Sequence, residues 1–115
     1  MKLIRNQNVS ILGAMWRISV KDDIADSYLR KCDGYCDWTT KQIVIAAKSP
    51  ECTIDYFDRY QRKVLRHEVI HAFLFESGLH EDFTHNVGHD ETFVDWFAAQ
   101  FPKIKAVFEY LGCEE

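Results

Sequence analysis

Leu65-Arg66-His67-Glu68-Val69-Ile70-His71-Ala72-Phe73-Leu74-Phe75-Glu76-Ser77-Gly78-Leu79 is the stretch on which the fold turns. Leu65, Val69, Ala72, Phe73 and Glu76 recur at helical spacing on one face, and Gly78 stands where a C-terminal cap glycine belongs. The pattern predicts a helix from about Tyr56 to Ser77. His67 and His71 lie four apart on it, so their side chains project side by side. Two imidazoles at that spacing can close on one Zn2+ and leave positions for a third ligand and a water. Glu68 comes directly after the first histidine, which sets a carboxylate beside the metal without ligating it. There it can act as the base that takes a proton from a zinc-bound water.

Beyond this helix, a polar segment from His80 to Gly88 leads to a second one. It begins near Asp90 as N-cap and carries Phe93, Val94, Trp96, Phe97 and Phe101 toward the core. Pro102 lacks a backbone donor and predicts a kink or a division of that helix. Ile104, Val107, Phe108 and Leu111 form a last apolar stripe, ended by Gly112. Before the motif helix the period is two. Trp16, Ile18 and Val20 alternate with Arg17, Ser19 and Lys21 as in a half-buried strand. A short helix comes next over Ile24–Leu29, then a turn at Asp33-Gly34, then a strand from Thr39 to Ala46 stopped by Lys48-Ser49-Pro50. Strands first and long helices after make an α+β fold.

Composition narrows the class of protein. A chain of 115 residues, 47% hydrophobic, with eight Phe, five Tyr and three Trp, is a single domain over 1–115 that buries its own core. A net charge of −4 argues against nucleic acid as a partner. The densest basic group, Arg59, Arg62, Lys63 and Arg66, reads as a solvated helix face. No apolar run reaches the length of a membrane span, and Met1–Gln7 has no signal-peptide core. These features predict a cytoplasmic monomer with no membrane partner. Cys32, Cys36, Cys52 and Cys113 then read as reduced thiols, and the 32/36 spacing does not match a zinc knuckle.

The third zinc ligand has two candidates. Thermolysin-like gluzincins carry a glutamate ligand and, one helical turn later, an Asp that orients the first zinc histidine; Glu91 and Asp95 resemble that pair. Gly88-His89-Asp90-Glu91-Thr92-Phe93 is similar to the segment of SprT-like proteases in which the histidine ligates, which would make His89 the ligand. The second glycine of that motif is missing here. Glu91 is favoured because it also gives Asp95 a role. The 65–79 stretch further resembles the motif helix of small phage-borne metallopeptidases related to the ImmA/IrrE type. Glu91–Pro102 resembles their second-helix signature, and Asp33–Asp37 with Lys41 and Ile43–Ile45 their preceding strand. About half the chain is covered, in the family's order. The resemblance implies a minimal zincin fold: a small twisted sheet on the HExxH helix, with a C-terminal helix carrying the third ligand.

The activity this resemblance implies is zinc-dependent peptide-bond hydrolysis. His67, His71 and Glu91 would hold Zn2+, with Glu68 as the catalytic base. The expected substrate is a polypeptide, in related proteins sometimes a phage or mobile-element repressor. An oxyanion donor is expected too, with His80, His85, Tyr35 and Tyr60 as candidates. The Ile43-Val44-Ile45 strand is read either as an open edge for an extended peptide or as an ordinary core strand. The alternative from another class is a non-catalytic, zinc-stabilised module that binds a partner protein. A base at Glu68 has no use in such a site.

Overall fold

The computed structural model describes residues 4–79 and 91–115; for Glu91, Thr92, Val94, Asp95 and Ala98 it describes the backbone alone. Strand β1 (Gln7–Ile11) and strand β2 (Ala14–Lys21) form an antiparallel hairpin in which Val9 faces Trp16 and Ile11 faces Ala14. The loop between them has only Leu12 and Gly13, at φ 51° and 87°. Two consecutive left-handed residues are what a two-residue hairpin of the right twist requires. Strand β1 is an addition to the expected elements, although Val9 and Ile11 alternate with Asn8 and Ser10 just before a turn glycine. Strand β2 matches its alternating pattern: Trp16 and Ile18 are fully buried.

A short strand β3 (Gly34–Asp37) and strand β4 (Gln42–Ala46) make a second antiparallel hairpin, and β4 runs parallel to β2. The sheet order is β1-β2-β4-β3. Strand β4 is therefore internal, and the Ile43-Val44-Ile45 segment is not an open edge; all three side chains are at most 1% exposed. Its start also shifts from Thr39 to Gln42. The Asp37 carboxylate accepts from the Thr39 N–H at 3.0 Å and its hydroxyl at 2.6 Å, which diverts Thr39 and Thr40 into the hairpin turn. The helix expected over 24–29 shrinks to one 3-10 turn, Ser27–Arg30. Asp22 accepts from the N–H groups of Ile24 and Ala25 and Asp26 caps Tyr28, so local carboxylates shape this segment; Ile24 is 86% exposed, and Leu29 is the apolar residue it buries.

Helix α1 (Phe57–Ser77) ends at Gly78, φ 81°, as the cap glycine predicts. Leu65, Val69, Ala72 and Phe73 are completely buried against the sheet. Glu76 leaves the same face to accept from the Trp16 indole N–H at 3.0 Å and from the Lys41 ammonium, tying the last turn of α1 to β2 and the β3–β4 turn. The basic group on α1 is not uniformly solvated. Arg62 is 6% exposed and donates to the Glu115 carbonyl, while Arg66 donates to the Cys113 carbonyl at 2.7 Å. These two guanidiniums fasten the end of the chain to α1.

Helix α2 (Glu91–Leu111) is continuous through Pro102, which does not divide it. Ile104, Val107 and Leu111 reach the core, but Phe97 and Phe101 are 40% and 48% exposed. They form an outer row with Phe93, ring centroids 6.0 Å apart, instead of the buried face expected for them. The first half of α2 thus turns part of its aromatic stripe outward. The polar segment 80–88 and the Asp90 cap lie outside the described residues.

Candidate metal centre

Helix periodicity sorts the polar face of α1 into two parallel rows. Lys63, His67 and His71 form one; Tyr60, Val64 and Glu68 form the other, one step nearer β3. The sheet order brings Asp33 and Gly34 alongside, at the start of the β3 edge. Between α1 and β3 a cleft of about 260 Å3 opens, lined by Asp33, Gly34, Tyr60, Lys63, Val64, His67 and Glu68.

His67 is exposed and His71 half-buried, with their Nε2 atoms 3.1 Å apart and ring planes inclined by 70°. At that distance two ring nitrogens either share one proton or straddle a cation. Zn–N bonds of about 2.05 Å at the tetrahedral angle would separate two nitrogens by about 3.3 Å. The observed spacing is within a few tenths of an ångström of that bite. The donor chemistry fits as well, since imidazole is an ordinary zinc ligand. Among the described residues, no group of three or more His, Cys, Asp and Glu is placed to hold a metal. His89 lies outside the described residues, and Glu91 opens α2 with its side chain outside them, as is that of Asp95.

Glu68 is 7% exposed although it adjoins an exposed histidine. Burial pushes its carboxyl above the ordinary carboxylate range, and His67 pulls it back down. A carboxylate so placed is a better proton acceptor than a solvated one. Cys36 of β3 lies within electrostatic range: burial first, then the charges of Glu68 and Asp37, push its thiol up to about 12. It remains a neutral thiol at physiological pH.

Of the oxyanion candidates, His80 and His85 lie outside the described residues. The Tyr35 hydroxyl donates to Asp26, and burial, then that bond, pushes it up to about 12. The Tyr60 hydroxyl donates to Asp33, which raises its pKa, and of the two tyrosines it is Tyr60 that lines the cleft.

The sequence pattern puts Gly34 in a turn, whereas in the fold it opens β3. A Cβ there would stand 2.8 Å from Val64 Cγ1 and 3.1 Å from the Val44 carbonyl oxygen. The missing side chain lets β3 approach α1 closely enough to wall the cleft, the role a glycine inside a strand pattern can signal. Asp33, Lys63 and Val64 join the cleft without any local signal in the sequence. No family model, curated protein or solved structure matches the chain.

Proposed function

We propose that this protein is a zinc-dependent metallopeptidase of the gluzincin type, related to the ImmA/IrrE enzymes, acting in the cytoplasm on a phage or host regulatory polypeptide. The observation that carries the reading is the histidine pair, two Nε2 atoms 3.1 Å apart on adjacent turns of α1, with the buried Glu68 next to the first. In this reading His67, His71 and Glu91 hold the ion, and Asp95 orients His67. When bound, zinc supplies Lewis acidity, lowering the pKa of water and polarising a carbonyl.

The chain's own residues do the rest. Glu68 accepts a proton from the attacking water as its oxygen bonds to the scissile carbonyl carbon. It then returns that proton to the leaving nitrogen as the C–N bond breaks. Burial of Glu68, 7% exposed, favours this shuttle by keeping out the bulk water that would otherwise exchange the proton. Strand β3 is the sheet edge beside the cleft, pairing with β4 alone among the described residues. An extended peptide added to that edge would lie across the cleft mouth with its backbone held by strand hydrogen bonds.

The test is Glu68→Gln, which keeps shape and hydrogen-bonding reach but cannot accept a proton. Zinc content and thermal stability should be unchanged, while turnover falls by roughly 10²–10⁴-fold. Cleavage is read by mass spectrometry on proteins encoded beside this one, since a dedicated peptidase can ignore casein. Equal cleavage by both forms would remove Glu68 from its role. No cleavage by either, with undiminished capture of a partner, would favour the zinc-stabilised binding module.

A further inference from the structure

The sheet has a second edge, β1, at the opposite side from the cleft. The two-residue loop makes Ile11 and Ala14 a hydrogen-bonded pair, and alternation then commits the N–H and C=O groups of Val9 and Gln7 to β2 as well. Those of Asn8 and Ser10 point outward, away from the sheet. Strands in this position are ordinarily protected by a lysine, a proline, a bulge or a covering loop. Strand β1 reads Gln-Asn-Val-Ser-Ile, with no charge and no proline, and its register with β2 runs without a bulge.

Along this edge lies a cavity of about 520 Å3 walled by Val9, Met15, Ala106, Val107 and Tyr110, together with Asn8 and Ser10. None of these residues is charged. Met15 and Tyr110, on its two rims, are 61% and 66% exposed. The place where a fifth strand would lie is thus an apolar groove between β1 and α2.

We infer that the occupant is β1 of a second copy of this chain, paired antiparallel so that two sheets become one across a two-fold axis at Val9. The strand carries no charge, so a second copy laid antiparallel against it meets none of the like-charge repulsion that ordinarily guards such an edge. Reversed on itself about Val9, Gln7 faces Ile11 of the second copy and Asn8 faces its Ser10. The outward N–H and C=O groups of Asn8 and Ser10 therefore meet those of Ser10 and Asn8. All five residues pair with no overhang, and no like charges are set opposite one another. The two Val9 side chains become neighbours on the inner face, where Val107 already packs.

The contact is isologous and closes at two copies. A five-residue pair with Met15 and Tyr110 at its rims is small against the roughly 1,600 Å2 of a standard interface, so the dimer is a weak one. This departs from the monomer expected from sequence. It leaves the β3 cleft of each copy open, and it does not depend on the peptidase reading.

Sedimentation equilibrium on the full chain over roughly 5–500 μM tests it. The mass should rise with concentration from 13.5 kDa toward twice that value. Ser10→Pro removes an outward donor that β2 does not use and should abolish the rise, whereas Ser10→Ala, which keeps the N–H, should not. Tyr110→Lys changes an exposed rim residue without touching the ladder and should weaken association at least tenfold, so the inference stays testable if the proline variant folds poorly. A mass of one chain at every concentration overturns the inference, as does a dimer indifferent to both Ser10→Pro and Tyr110→Lys. A monomer that takes an extended apolar peptide onto β1 overturns the second copy as occupant.

Discussion

Gly34 and Val64 show how a single absent methyl shapes the candidate site. A Cβ at Gly34 would overlap Val64 Cγ1, a stiff β-branched atom, and crowd the Val44 carbonyl, so neither neighbour can yield cheaply. Gly34→Ala should cost about 1–3 kcal/mol, the range of overpacking in a well-filled site. In a Val64→Ala background the same substitution should cost less, because the overlapping atom is gone. Urea denaturation of the four proteins in that cycle checks it; an equal cost in both backgrounds would dissociate Gly34 from Val64. The residues proposed to carry chemistry are legible in the sequence because their relation is local. His67, Glu68 and His71 sit within five positions of one helix, whose geometry is known before any tertiary contact forms. Asp33 and Gly34 are not, since they reach the cleft only through the strand order. Arg62 and Arg66 escape the sequence pattern for the same reason: the carbonyls they bind are 53 and 47 positions away.

Elements with a strong period are readable from sequence, and those shaped by local polar groups or by topology are not. Helix α1, with its cap at Gly78, and strand β2 come from spacing alone. The 22–30 segment does not, because Asp22 and Asp26 accept from nearby N–H groups and hold turns where the apolar pattern suggests a helix. The end of helix α2 at Gly112 is readable, but its continuity through Pro102 is not, and the exposure of Phe97 and Phe101 depends on how it docks. Its first turn bears the question of the third ligand. Glu91 and Asp95 are one turn apart on α2, as the gluzincin resemblance requires of a ligand and a supporting carboxylate. Glu91→Ala should abolish tight zinc binding, Asp95→Ala should weaken it by roughly 10–100-fold, and His89→Ala should change it only slightly. Competition with a fluorescent chelator gives all three affinities. Loss of the metal in His89→Ala with retention in Glu91→Ala would transfer the site to the SprT-like arrangement.

At the scale of the molecule, the proposed ion joins the two long helices, α1 through His67 and His71 and α2 through Glu91. A ligand that binds only the folded chain stabilises it by about 2.7 kcal/mol at one hundred times its dissociation constant. For a domain of this size that corresponds to roughly 10 °C in melting temperature. Chelation should lower the melting temperature by that order in the wild type and leave His71→Ala unmoved, as differential scanning fluorimetry would read. The central claim, a zinc site built on the histidine pair, has a more direct test. Native mass spectrometry of chain never exposed to chelator, with elemental analysis alongside, counts zinc per molecule in the wild type, His67→Ala, His71→Ala and the double variant. One zinc ion per wild-type chain, with tight binding lost in both single variants, is the predicted result. A wild-type chain that takes up no zinc when it is offered, or a double variant that retains a full equivalent, would contradict it.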